Sequence, residues 1–426
     1  MSINNSLYIG ISGLQAHGDA ISIVGDNIAN VSTVGYKRDR ASFDDVLGGE
    51  LESQRLGGGV RLGASQTLWD QGAITQTGNP LDVAISGGGT FMVKGNHSGQ
   101  VGQYYTRDGR FHVDDTGYVT NQQGLRLQGY TIDTAGNRSL STGDLALGSR
   151  ESPAVATTKA SMTLNLDSGS TVPAAFDPTN PNTTSTYATS ETVYDSLGAA
   201  HHAQVYFRAQ GNGSWEYHAM VDGGELAGGT AGTLTEIANG TLTFNTAGAL
   251  QTQTLNASTA NFLNATPGQA IQFNFGDDIA SGGTGLAGST QFAGASSVNG
   301  LDIDGRRAGK LTSLQIADDG KITGLFDNGD KIQVAQVALA SFANDDGLQR
   351  VGDGLTAESP TSGKPLIDVP GTGSRGSLVS GALEGSNVDL SNELVTLIAF
   401  QRAFEANAKT VTTANEMMAD VNNLKQ

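Results

Sequence analysis

The chain has 426 residues, enough for about two to four domains. It contains no cysteine, which excludes disulfides, thiolate metal sites and cysteine catalysis. Its 24 Lys and Arg oppose 42 Asp and Glu, and the net charge of -18 argues against nucleic-acid binding.

The first predicted element is a helix over residues 2–30. A strict seven-residue spacing of large apolar residues is typical of a helix that buries a narrow seam against another helix. The residues with this spacing are Leu7, Leu14, Ile21 and Ile28. Gly10, Gly13, Gly18 and Gly25 interrupt the segment, and each costs about 1 kcal/mol relative to Ala. We therefore expect this helix to form only when a neighbour packs on it.

The long central region predicts β-strands, because short alternating runs are separated by turn residues. Gly57-Gly58-Gly59 predicts a loop, and Asp115-Thr116-Gly117 predicts the turn of a hairpin. Another hairpin is predicted around Gly211-Asn212-Gly213. Residues 151–300, rich in Thr, Asn and Gly, are expected to form a separate sandwich or barrel. One buried strand face is predicted by the alternation of Ile271, Phe273 and Phe275.

A second helix is predicted at the C-terminus, starting near Asp389 or Ser391, either of which could cap it. It runs to about Leu424, a length of roughly 50 Å at 1.5 Å per residue. The same seven-residue spacing is kept by Leu390, Leu397, Phe404, Val411 and Met418. Two such stripes without partners in their own segments indicate assembly, so we predict that all nine stripe residues take part in self-assembly.

The predicted fold class is mainly β with paired N- and C-terminal helices, in a concentric multi-domain arrangement. The expected division has four parts. These are a helical domain (1–35 and 385–426), connecting segments (36–72 and 373–384), a shared β domain (73–150 and 301–372) and an inserted β domain (151–300).

Motifs for chemistry are weak. Gly371-Thr-Gly-Ser-Arg-Gly376 has dinucleotide-loop spacing, but Pro370 precedes it where a strand is required. Gly305 to Lys310 is one residue short of a phosphate loop. Asp302-Ile-Asp304 lacks further oxygen ligands for calcium. We therefore predict no enzyme, no cofactor and no metal site, although a secreted carbohydrate-binding β protein stays open as an alternative.

The two ends carry motifs that resemble those of the flagellar rod and hook axial proteins. The N-terminal motifs are Ser12-Gly-Leu-Gln-Ala16, Gly25-Asp-Asn-Ile-Ala-Asn30 and Thr33-Val-Gly-Tyr-Lys37. The C-terminal motifs run from Leu383 to Val395 and from Ile398 to Lys409. Residues 78–85, 105–111 and 340–348 are similar to the family's shared β domain. Residues 157–300 are similar to the outer domain of hook subunits, which distal rod subunits lack, so the rod is the weaker alternative.

The resemblance implies a structural subunit of the bacterial flagellar hook, outside the cell and attached to the basal body. Such subunits polymerise into a hollow flexible tube that acts as a universal joint between rod and filament. The implied partners are copies of the chain, the distal rod protein, the hook–filament junction protein, the hook cap, the hook-length control protein and the flagellar type III export apparatus. The first residues lack a basic n-region and an apolar run, so we expect export without a cleaved signal.

Overall fold

The computed structural model describes residues 3–51, 54–133, 136–148 and 150–423. The described chain is mainly β, with one long helix at each end, and this confirms the predicted fold class. It divides into two compact units. Unit 1 comprises residues 1–149, 313–325 and 331–426, and unit 2 comprises residues 150–312 and 326–330. The finer division into inner, shared and inserted domains stays a prediction.

The helical elements are α1 (Ile3–Ala29), α2 (Pro181–Thr184), α3 (Leu390–Asn423) and the 3-10 turns Gly223–Glu225 and Asp345–Gly347. The strands are β1 (Asp39–Arg40), β2 (Phe43–Leu51), β3 (Gln54–Leu62), β4 (Gln66–Thr67), β5 (Ile74–Gln76), β6 (Val83–Ser86), β7 (Thr90–His97), β8 (Gln100–Thr106), β9 (His112–Val113), β10 (Val119–Thr120), β11 (Arg126–Thr131), β12 (Gly143–Asp144), β13 (Glu151–Ser152), β14 (Lys159–Asn165), β15 (Tyr187–Tyr194), β16 (Ala200–Gly211), β17 (Ser214–Asp222), β18 (Leu234–Phe244), β19 (Leu250–Ser258), β20 (Gln272–Asn274), β21 (Ser297–Ile303), β22 (Gly309–Ile316), β23 (Lys321–Phe326), β24 (Lys331–Val337), β25 (Leu339–Ser341), β26 (Gln349–Gly352), β27 (Leu355–Ala357), β28 (Leu366–Asp368), β29 (Ser377–Ser380) and β30 (Ala382–Glu384).

The long C-terminal helix begins where its capping residue predicts. The Asp389 carboxylate accepts the backbone N–H groups of Ser391 and Asn392, at 2.9 and 3.2 Å. These N–H groups have no partner inside the helix, so the carboxylate stabilises its first turn. The predicted end at Leu424 lies outside the described residues. Among the described helices, none is both long and apolar enough to cross a membrane.

Unit 1 is organised around a sheet with the order β23-β24-β11-β7-β8-β27-β26. β7 and β8 form its longest hairpin, and β11 joins that hairpin to β24, which is far away in the sequence. The C-terminal connection is also tied to the N-terminal half, because β29 pairs with β6 and β30 pairs with β5. The strands before α3 therefore lie beside β5 and β6 in unit 1.

The predicted loop at Gly57–Gly59 is wrong, because these residues lie inside β3, which pairs with β2. Gly59 is required by packing rather than by a turn. Gly59 has a φ of +104°, and a Cβ built on it would lie 2.1 Å from the Ser12 hydroxyl oxygen of α1. Only glycine fits this backbone conformation and this approach to the helix.

Unit 2 is a sandwich of two sheets. β15 to β19 form a five-stranded antiparallel sheet in chain order, and β14 lies between β20 and β21 in a three-stranded sheet. One core cluster includes side chains from both sheets, among them Trp215, Phe207 and Phe273. The predicted turn at Gly211–Gly213 is confirmed, with φ values of 53° at Asn212 and 75° at Gly213 that suit a tight hairpin.

Candidate self-assembly site

The two long helices pack on each other in antiparallel directions, and we refer to α1 with α3 as the helix pair. A Cβ built on Gly10 would lie 2.8 Å from a γ-methyl of Val411, and one built on Gly13 would lie 2.5 Å from the side-chain oxygen of Asn407. At the other end of the pair, Asn27 donates to the Glu393 carboxylate at 3.3 Å. The glycines at positions 10 and 13 therefore allow α3 to approach α1 closely.

The fully buried positions of α1 are mostly small residues. They are Gly10, Gly13, Ala16, Ala20, Val24 and Asn27. The predicted assembly residues lie elsewhere: Leu7, Leu14, Ile21, Ile28, Leu397, Val411 and Met418 are half-buried, whereas Leu390 and Phe404 are exposed. Of the nine, Val411 lies against Gly10 and Phe404 lies near Gly18. The nine-residue assembly set stays a prediction, and in the single chain its members retain surface for a partner.

α3 has a line of exposed apolar side chains at its N-terminal end, which we call the apolar stripe. Leu390, Leu394 and Ile398 are 44%, 44% and 48% exposed, and their spacing of four residues places them on one side of the helix. Val395, next to the stripe, is 68% exposed. Single exposed apolar residues are ordinary, but contiguous ones mark interaction surfaces.

The β2–β3 hairpin is attached to the helix pair near the middle of α1. Ser12 accepts the backbone N–H of Val60 at 3.2 Å through its hydroxyl oxygen. Three rings, one from each of α1, β2 and α3, also cluster. The His17 and Phe400 ring centroids lie 5.1 and 5.7 Å from that of Phe43. The hairpin therefore covers one side of the helix pair.

A buried ion cluster lies where both helices join the β part of unit 1, and we call it the Glu384 cluster. Lys37 Nζ lies 2.6 Å from one Glu384 carboxylate oxygen, and an Arg107 Nη lies 3.0 Å from the other. The Glu384 side chain is 0% exposed, and those of Lys37 and Arg107 are 4% and 6% exposed. One carboxylate therefore holds two cations from distant parts of the sequence.

Backbone groups supply further hydrogen bonds to Glu384 and Lys37, whereas the buried Arg107 Nε has no hydrogen-bond partner among the described residues. The Glu384 carboxylate also accepts the N–H of Gly72 at 3.0 Å, and Lys37 donates to the Asp70 carbonyl at 2.8 Å. Burial lowers the pKa of Lys37, while the hydrogen bond to Glu384 opposes that shift. A buried charge held in this way is stable only while its partner is ionised.

Beside the cluster, a second set of polar contacts joins the end of α1 to the residues that follow it. The Asn27 side chain donates to the Asp39 carbonyl at 2.7 Å and accepts the Asp39 N–H at 2.9 Å. Tyr36 donates to the Asp26 carboxylate at 3.1 Å. Burial and the negative charge of Asp26 raise the pKa of Tyr36 to about 12. The end of α1 is therefore fixed to the chain that follows it.

The sequence prediction did not single out the Glu384 cluster, although each member lies in a quoted motif. Lys37 ends the Thr33–Lys37 motif, Arg107 lies in 105–111 and Glu384 is the second residue of the motif that runs from Leu383 to Val395. Nothing in one sequence pairs charges that are 347 residues apart. Within the described residues, no group of three or more His, Cys, Asp or Glu is placed to hold a metal ion.

Four family models match separate parts of the chain. "Flagella basal body rod protein" matches residues 7–37, and "Flagellar hook protein FlgE/F/G D1 domain" matches residues 84–164. "Flagellar basal body protein FlaE D2 domain" matches residues 165–306. "Flagellar basal body rod FlgEFG protein C-terminal" matches residues 379–424.

Curated relatives match over nearly the full length. The flagellar hook protein FlgE of Escherichia coli is 34% identical over 97% of this chain and 98% of the relative. The chain belongs to the flagellar hook protein family. The hook protein FlgE of Treponema pallidum is 32% identical over 99% of both chains, and that of Salmonella typhimurium is 33% identical over 97% of this chain and 98% of the relative.

Membership in the hook protein family gives the coarse function. Family members are structural components of the hook, an extracellular part of the flagellum attached to the basal body, and not enzymes. The match extends through the inserted region, and the distal rod and carbohydrate-binding alternatives are not favoured. The helix pair and the Glu384 cluster are thus parts of a structural subunit.

Proposed function

We propose that this chain polymerises through its helix pair into a hollow, flexible tube that transmits torque from rod to filament. The observation that carries the proposal is the apolar stripe of α3. Leu390, Leu394 and Ile398 remain about half exposed although α1 already packs on α3. Exposing them to water is unfavourable, and a second copy of the chain covers them in the polymer.

The polymer places this chain among the components of the flagellum. We propose that the helical segments 1–35 and 385–426 line the inner tube. The shared β domain (73–150 and 301–372) forms the middle layer and the insert (151–300) the outer layer. The partners are other copies of the chain, the distal rod protein, the hook–filament junction protein, the hook cap, the hook-length control protein and the type III export apparatus. Family membership supports this arrangement, with a structural rather than enzymatic role.

The polymer is stiff within each subunit and able to bend between subunits. The close contacts at Gly10 and Gly13 support a firm helix pair inside one copy. Unit 2 has polar strands and 15 acidic against 6 basic side chains in residues 150–312 and 326–330, counted from the sequence. Like-charged, polar surfaces form small, wet contacts that are easily made and lost.

Truncation tests the proposal. We expect chains lacking residues 1–30 or 390–426 to form no tubes, while the strands of units 1 and 2 remain folded. Tubes in electron micrographs of either truncated protein would contradict the proposal. Circular dichroism and tryptophan fluorescence of the same samples report whether the strands fold.

A point substitution separates the stripe from the helix as a whole. Leu394→Asp places a charge in the apolar stripe, and we expect at least a tenfold rise in the protein concentration needed for tubes. Ser391→Asp adds the same charge at an exposed position near the favourable N-terminal end of α3, and it is the matched control. Equal effects of the two substitutions would remove the stripe from the interface.

A further inference from the structure

The Glu384 cluster lies where the two helix connections run side by side. The Gly35 N–H donates to the Glu384 carbonyl at 2.8 Å, and the Arg38 N–H donates to the Asn387 side chain at 2.8 Å. The segment that follows α1 and the segment that precedes α3 therefore run in contact. They are the covalent connections between the helix pair and the β part of unit 1.

We infer that Glu384 is a positioning residue that holds these two connections on the β part of unit 1. We call this arrangement the lock. Its carboxylate bonds Lys37 of the first connection with one oxygen and Arg107, which follows β8, with the other. Arg107 in turn donates to the Gly87 carbonyl at 2.8 Å. The two bonds from one carboxylate to separate segments resist a rotation that a single contact would allow.

The backbones around Glu384 approach one another closely. A Cβ built on Gly72 would lie 2.0 Å from the Gly385 carbonyl oxygen, and one built on Gly35 would lie 2.7 Å from the backbone of Arg107. Gly35 has a φ of +69°, which side-chain-bearing residues rarely adopt. The backbones of the three segments are thus in direct contact, and the carboxylate sits among them without access to water.

The roles of the three charges are unequal. Removing the Lys37 charge leaves Glu384 paired with Arg107 and with the Gly72 N–H. Removing the Glu384 charge leaves two buried cations beside each other without a counter-ion. Breaking a buried pair by removing one partner is strongly destabilising because the other charge stays buried. The lock therefore depends on Glu384 more than on either cation.

Hydrogen exchange of the full, unpolymerised chain tests the lock. In Glu384→Gln we expect the amides of residues 35–38 and 384–388 to lose about 100-fold in protection. The amides of β7 and β8 should keep theirs. Lys37→Met should give a clearly smaller loss at the same amides. The exposed pair Lys364–Glu358, 2.7 Å apart, supplies matched controls, and neither Glu358→Gln nor Lys364→Met should change these amides.

Unchanged protection in Glu384→Gln would overturn the inference, because the neutral isostere would then hold the segments equally well. Equal loss in β7 and β8 would also overturn it, because Glu384 would then be a general core residue. The double variant Lys37→Met/Glu384→Gln should show coupling between the two sites, and simple additivity would contradict the lock.

The polymer gives a second readout, which rests on the proposed function. If Glu384→Gln tubes form, we expect a larger spread of curvature in electron micrographs than for the unaltered chain and the Glu358→Gln control. Unchanged curvature would refute a role of the lock in the tube. Failure of the unaltered chain to polymerise would refute the proposed function instead, and the exchange measurement on the single chain would still decide the lock.

Discussion

The close contact at Gly13 predicts that adding one methyl group to α1 has opposite effects at different positions. In Gly13→Ala the new Cβ lies 2.5 Å from the Asn407 oxygen, so Asn407 must move and lose its hydrogen bond to the Ala403 carbonyl. In Gly25→Ala the new Cβ has no atom within 4 Å in the described chain. Both substitutions lie in the same helix and change the sequence identically.

The magnitude follows from two terms. Replacing Gly by Ala inside a helix stabilises it by about 1 kcal/mol, and this term is common to both positions. Overpacking a tight contact costs about 1–3 kcal/mol, and this term applies at Gly13 alone. We therefore expect Gly25→Ala to stabilise α1 by about 1 kcal/mol, and Gly13→Ala to leave it unchanged or weaken it by up to about 2 kcal/mol.

Hydrogen exchange of the α1 amides in the unpolymerised chain measures this difference. A stabilisation of about 1 kcal/mol corresponds to roughly fivefold slower exchange. Asn407→Ala in the full chain is the control, because it removes the side-chain atoms that the new Cβ of Gly13→Ala would meet, and both substitutions should then stabilise α1 alike. If Gly13→Ala slows exchange as much as Gly25→Ala in the full chain, α1 does not pack on α3 through its glycines and the reasoning fails.

Two further predictions concern the insert and the pH range of stability. Deleting residues 157–296 should leave tubes but change their curvature, and complete loss of tubes in electron micrographs would contradict a separate outer layer. Burial raises the pKa of Tyr36 to about 12 from its ordinary value of 10.0, so the native state keeps this proton longer than the unfolded state. Its contribution to stability is therefore complete below pH 10 and is lost as the pH rises through 12. Urea unfolding should show the unaltered chain losing more stability than Tyr36→Phe between pH 10 and pH 12. Lys37, whose lowered pKa acts in the opposite sense, is common to both proteins, so equal losses would refute the assignment to Tyr36.

The elements that a local pattern specifies could be predicted from the sequence. Asp389 identifies the start of α3 because a side-chain acceptor is needed there, and Asn212-Gly213 identifies a hairpin because both residues tolerate positive φ. The alternation of Ile271, Phe273 and Phe275 correctly indicates a strand face in the core of unit 2, where all three side chains are buried.

Features that depend on distant contacts could not be predicted. The seven-residue spacing showed that both helices have partners, but it could not show that small residues of α1 face α3, because glycine and alanine carry little hydrophobic signal. The same limit explains why the loop prediction at Gly57–Gly59 is wrong, because Gly59 is required by the approach of Ser12 from another element. The role of Glu384 could not be predicted for a similar reason, since its partners are identified only once the chain is folded.

The most direct test of the central claim is a helical reconstruction of the polymer of the full chain at side-chain resolution. We predict that each copy keeps α1 packed on α3 through Gly10 and Gly13, and that Leu390, Leu394 and Ile398 are buried against a neighbouring copy. A tube in which these three side chains face solvent, or in which α1 has left α3, would contradict assembly through the helix pair.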